Sequence, residues 1–142
     1  MGFSLVGATA IIGVSLIIAL EIIIGTTVPT ITNVHDSFDK MRNRAIEQVQ
    51  TDINITSVRT LVNGSDHDIN ITIDNTGSIT LETEDFDILV NGTSYSFTSS
   101  KSYLHPKNTV YFNVSSLKGT GIRRLKVITN NGISDYYEFN IT

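Results

Sequence analysis

A chain of 142 residues with no cysteine, 10 basic and 14 acidic side chains and a net charge of −4 excludes several classes at once. Disulfides, thiolate metal sites and thiol catalysis have no residues to work with. An acidic chain with no basic face and no array of stacking aromatics is not built for nucleic acid. The length fits one soluble domain plus one further segment.

The first segment is apolar. From Phe3 to Ile24 only Glu21 is charged, and at a rise of about 1.5 Å per residue such a helix covers about 33 Å, enough for a hydrocarbon core of about 30 Å. No Lys or Arg precedes Lys40, and Gly25-Thr26-Thr27-Val28-Pro29 holds no Ala-x-Ala cleavage site, so an uncleaved anchor over residues 1–25 is expected rather than a secretory signal. The rest of the chain is too small and polar to wrap a buried helix of this length. Ser4 and Ala8, then Ser15 and Ala19, are spaced four apart, which lets a second helix approach closely in lipid. Such residues are also common in anchors with no partner helix, and both readings stay open. Glu21 lies near the outer end, where it either snorkels to the interface or meets another membrane protein.

Gly25 to Pro29 is expected to interrupt the helix, with Pro29 opening the first turn of a second one. Over residues 26–50, Ile31, Val34, Phe38, Met41, Ala45 and Val49 form an apolar stripe, while Asp36, Asp39, Lys40, Arg42 and Glu47 fill the opposite face. This amphipathic stalk is expected to pack either on a partner helix or on its own β-domain.

From Thr51 the period changes to two. Ile53 and Ile55 alternate, then Ile69, Ile71 and Ile73, then Phe86, Ile88 and Val90, followed by Asn91-Gly92 and Tyr95 and Phe97. Val110, Phe112 and Val114 come next, then Leu125, Val127 and Thr129, the turn Asn130-Asn131-Gly132, and Tyr137, Phe139 and Ile141. Asn-Gly between alternating runs signals a hairpin with a type I′ turn. Seven short strands with no helix between them make the expected class mainly β: an N-terminal transmembrane helix and helical stalk, then an immunoglobulin-like antiparallel β-sandwich over residues 51–142. The cysteine pair and core Trp of immunoglobulin domains are absent.

Six Asn-x-Ser/Thr sequons lie in this domain, at Asn54, Asn63, Asn70, Asn91, Asn113 and Asn140, where composition alone gives roughly three. Asn54, Asn70, Asn113 and Asn140 stand between apolar residues and so point out of a sheet. Asn63 and Asn91 precede glycine at expected turn tips. All are candidate N-glycosylation positions, Asn140 the weakest because Thr142 ends the sequence; the alternative is that Asn and Thr are simply good outward-facing residues. Topology signals oppose one another. Lys40, Arg42 and Arg44 against the α-amino group of Met1 place the domain inside, whereas the sequons place it outside.

Catalytic motifs are missing. There is no G-x-S-x-G, phosphate loop or nucleophile–base motif, and an enzyme is not expected. His35, His67 and His105 show no ligand spacing and are read as solvated residues of stalk, turn and loop. Glu82, Glu84, Asp85 and Asp87 form the densest acidic cluster; calcium is one reading and a solvated face the other. No cofactor is expected. Arg123, Arg124 and Lys126 are the head's basic group, read either as a patch facing an acidic wall or as a charged edge that discourages strand pairing. A ring of Tyr95, Tyr103, Tyr111, Tyr136 and Tyr137 around a groove would mark a sugar-binding adhesin.

Met1-Gly2-Phe3-Ser4, the apolar helix, a second helical segment with basic residues, and a β-domain with Asn75-Thr76-Gly77 and Val90-Asn91-Gly92 together resemble the archaellum accessory proteins F and G, with F the nearer. The resemblance covers essentially the whole chain. It implies a structural, stator-like component of the archaeal swimming motor, anchored in the cell membrane with its β-domain between membrane and surface layer. Its implied partners are the surface-layer protein, the other accessory protein of the pair, a motor membrane protein and membrane lipid, with an oligomer expected. Archaellins and pilins carry a basic residue before the processing-site glycine and a glutamate five positions into the mature chain. Here nothing basic precedes Gly2 and Glu21 comes far too late, which favours an unprocessed support over the alternative of a pilin-like or archaellin-like filament subunit.

Overall fold

The computed structural model describes residues 2–142, so Met1 and the α-amino group entering the topology count lie outside it. The chain separates into two compact units, the first ending at Asn43 and the second running Arg44–Thr142.

One helix, α1, spans Gly2–Gln50 without a break, with Pro29 inside it. The expected interruption at Gly25–Pro29 is therefore corrected. Proline removes one backbone donor and crowds the carbonyl four residues back, here that of Gly25. Ending the helix and starting another would instead leave about four N–H and four C=O groups unpaired. With no polar partner to receive them, losing one bond costs less. Thr26 and Thr30 bond back to the carbonyls of Ile22 and Thr26, each at 2.7 Å, holding the turns on both sides of the proline. The helix is long and apolar enough to cross a membrane, and Ile11, Leu16, Ile18 and Ile23 are all exposed. The stripe residues Ile31, Val34, Phe38, Met41 and Val49 are exposed as well.

The second unit is built from ten strands: β1 (Ile53–Asn63), β2 (Asp66–Asn75), β3 (Leu81–Glu82), β4 (Asp87–Val90), β5 (Thr93–Tyr95), β6 (Phe97–Ser99), β7 (Tyr103–Leu104), β8 (Thr109–Leu117), β9 (Gly121–Ile128) and β10 (Ser134–Ile141). They form two antiparallel four-stranded sheets, ordered β1-β2-β8-β6 and β10-β9-β4-β5, with a two-stranded ladder β3-β7 beside them. Three more strands appear than the alternation indicates. β3 and β7 have only two residues each, too few to show a period, and the Tyr95–Phe97 run divides at Ser96, with β5 in one sheet and β6 in the other.

Alternation does set the core. Ile69, Ile71, Ile73, Ile88, Val110, Phe112, Val114, Leu125 and Val127 are all fully buried and belong to one cluster drawn from both sheets. Phe112 sits at its centre, 5.3 Å from the ring of Phe86 and 5.1 Å, edge-on, from that of Phe97. Such aromatic pairs add about 0.5–1.5 kcal/mol beyond the area they bury. The Asn91-Gly92 turn has φ of 51° and 83°, the left-handed pair that a two-residue hairpin requires.

Candidate functional site

A network of hydrogen bonds forms in the second unit where the last helical turn meets the strands. Gln50 ends α1, and its carbonyl accepts from the Ser78 amide at 2.9 Å. The Asp52 carbonyl accepts from the amides of Thr76 and Gly77, both at 3.0 Å, and its carboxylate accepts from the Thr76 hydroxyl at 2.6 Å. On the other side, Gln48 Nε2 donates to the Asn131 carbonyl at 2.9 Å, Asn131 Nδ2 donates to Thr51 Oγ1, and Thr51 Oγ1 donates to the Glu47 carbonyl at 2.7 Å. Two loops thus grip the end of one helix, and one of them satisfies the terminal Gln50 carbonyl, which has no partner within it.

Gly77 makes this grip feasible. A β-carbon there would stand 2.5 Å from the Gln50 carbonyl oxygen and 2.6 Å from the Asp52 amide nitrogen, so only glycine permits the backbones to approach. Asn75 fixes the loop from inside. Buried, it accepts from the Gly77 amide at 3.0 Å and donates to the carbonyls of Ile79 and Leu104 at 2.8 and 3.0 Å. In the sequence, Asn75-Thr76-Gly77 stands only as a point of resemblance; its mechanical role depends on contacts with the distant residues Gln50, Asp52 and Leu104.

The basic group divides by strand parity. Arg124 and Lys126 lie on the outer face of β9, and both flank the ring of Tyr136 on β10, with the guanidinium 4.5 Å and the ammonium 5.2 Å from the ring centroid. The hydrogen bond from Lys126 chiefly holds the Tyr136 phenol below its ordinary 10.0; desolvation, next in size, opposes it, and the charges of Lys126 and then Arg124 add to the lowering. Arg123 belongs to the other side of the strand and donates to the Lys118 carbonyl at 2.9 Å.

The sequons lie along the strands and turns. Asn54 and Asn63 are exposed on β1, Asn70 and Asn113 half-buried on β2 and β8, Asn91 exposed in the β4–β5 turn and Asn140 exposed on β10. Asn91 Oδ1 also accepts from the Arg124 amide at 2.8 Å. On α1, Ser4, Ala8, Ser15 and Ala19 are all exposed.

Among the histidines, His67 is corrected. It stands on β2 rather than in a turn, 9% exposed, with Nδ1 buried and unpartnered. His35 faces Asp39 at 3.5 Å on the exposed helix, a pairing worth little, and His105 Nδ1 lies 3.0 Å from Thr80 Oγ1. The five tyrosines do not ring one groove. Tyr95 and Tyr137 pack against the core, while Tyr103, Tyr111 and Tyr136 stand on β7, β8 and β10. Among the described residues no group of three or more His, Cys, Asp or Glu side chains is arranged to hold a metal ion.

No family model matches the chain, and no curated protein matches it. Among solved structures, the "Archaellum periplasmic stator protein FlaG from Sulfolobus acidocaldarius" is similar with a TM-score of 0.54 at 16% identity, covering 63% of this chain and 99% of that one. The human cytomegalovirus protein US2, solved bound to the MHC class I molecule HLA-A2/tax, gives 0.42 at 13% identity over 63% of this chain and 97% of that one, a likeness too loose to carry an argument. The first likeness is one of fold.

Proposed function

We propose that the chain is a membrane-anchored structural component of the archaellum, a stator-like subunit linking the swimming motor to the surface layer. In this reading α1 sits in the cytoplasmic membrane and the strand domain occupies the space beyond it. The observation that carries the reading is the fold shared with a protein described as a periplasmic stator, nearly all of whose solved length is matched. The apolar helix of Gly2–Gln50 supplies the anchor such a role needs. The bonded end of α1 fits the role too, because it fixes the last helical turn to the strands within the second unit. Surface-layer protein, the other member of the F/G accessory pair, a motor membrane protein and further copies of this chain are the partners the role calls for.

Deleting the gene tests the proposal. The expected result is cells whose filaments are absent or present but not rotating, restored by the intact gene. Undiminished swimming of the deletion strain would overturn it.

A further inference from the structure

Four of the six sequons share one surface. On β1, β2 and β8 the residues next to the sequon asparagines face the core: Ile53 and Ile55 flank Asn54, Ile69 and Ile71 flank Asn70, and Phe112 and Val114 flank Asn113. These three asparagines therefore project from the outer face of the β1-β2-β8-β6 sheet. Asn63, paired with Asp66, continues the same side of β1 through Leu61 and Arg59. Register adds a sharper fact. Asn70 stands directly opposite Asn113, with Arg59 on the outer flank of Asn70 and Thr98 on that of Asn113. Side chains so opposed start from β-carbons about 4.5–5.5 Å apart, too close for each to carry a sugar and its hydration.

We propose that this outer face is an N-glycan face on which Asn54, Asn63 and one member of the Asn70–Asn113 pair carry oligosaccharide. The inference rests on the extracytoplasmic placement of the head. The donor is a lipid-phosphate-linked oligosaccharide and the catalyst a transferase of the envelope. Asparagine Nδ2 bonds to C1 of the first sugar, the C1–oxygen bond to the lipid phosphate breaks, the phosphate leaves with the bonding electrons, and the amide gives one proton to a base of the transferase. One amide hydrogen remains, so the bond from Asn63 Nδ2 to Asp68 Oδ2, at 3.0 Å, survives attachment. The middle residues Ile55, Ile71 and Val114 are buried and stay in the core.

The test is mass spectrometry of the full-length protein purified from its own cell envelope, on intact chains and on peptides. Glycan is expected at Asn54, at Asn63 and at either Asn70 or Asn113 but never at both on one chain; Asn70→Gln raises occupancy at Asn113. Unmodified asparagine at these positions, or chains modified at both Asn70 and Asn113, overturns the proposal. A companion measurement exploits the absence of cysteine: Ser94→Cys, on exposed β5, is treated on intact cells with a membrane-impermeant maleimide. Labelling without glycan overturns the glycan face and leaves the functional reading standing. Labelling only after lysis overturns both.

Discussion

The Asp135 carboxylate accepts a hydrogen bond from the backbone amide of Ile55 at 2.8 Å, joining β10, the edge of one sheet, to β1, the edge of the other. The same carboxylate accepts from the Tyr136 amide at 2.8 Å through its other oxygen. Ile55 lies where the β1–β2 register shifts, so its amide takes a side-chain acceptor from outside its own sheet. A charged group turned towards an edge is also a known guard against unwanted strand pairing.

Replacing Asp135 with alanine leaves a part-buried amide unpaired. The expected cost is about 1–3 kcal/mol, read as a lower urea midpoint for the full-length protein in detergent. The Asp135→Asn variant should recover part of it, because an amide side chain keeps one acceptor while losing the charge that strengthens the bond.

Gly77→Ala forces a methyl group against backbone that has no side chain to move aside. Overpacking of this kind costs about 1–3 kcal/mol. The damage should be local, appearing as new protease cleavage between Gln50 and Asp52, whereas Gly64→Ala at the β1–β2 tip, where φ is +65° but nothing lies within 4 Å of an added methyl, strains that turn alone and opens no cleavage between Gln50 and Asp52.

Phe112 touches the rings of Phe86 and Phe97, and truncation to alanine removes both contacts at once. A loss of about 3–5 kcal/mol is expected. Urea denaturation followed by tyrosine fluorescence checks it.

Tyr136 titrates below its ordinary value because Lys126 donates to it and stands close by as a cation. Lys126→Gln removes the larger cause, so its phenolate should form at higher pH than in the unaltered protein. Arg124→Gln should move it the same way by less. Because the folded-state value is lowered, the associated stability is fully present above the ordinary tyrosine value and is lost as pH falls through the lowered one; neutral-pH stability should not change. Phenolate absorbance during alkaline titration measures the shift.

The strands were legible where both faces had a role. At Ile69, Ile71 and Ile73 alternation marks the core side, and extending the same parity two residues back reaches His67, whose burial a polar side chain disguises. Parity likewise separates Arg123 from Arg124 and Lys126. Pro29 misleads because its cost is local while the cost of ending a helix is spread over about eight backbone groups. Gly77 was unreadable for a different reason: nothing in Asn-Thr-Gly announces that residues 50–52 will press against it. The leaning towards the F member rests on no particular residue, and the shared fold does not supply one.

The grip on Gln48, Gln50 and Thr51 turns the end of α1 into a socketed shaft. Because both the loop carrying Gly77 and the turn carrying Asn131 hold it, from different strands, that last helical turn cannot rotate against the strands of its own unit without breaking bonds on two sides.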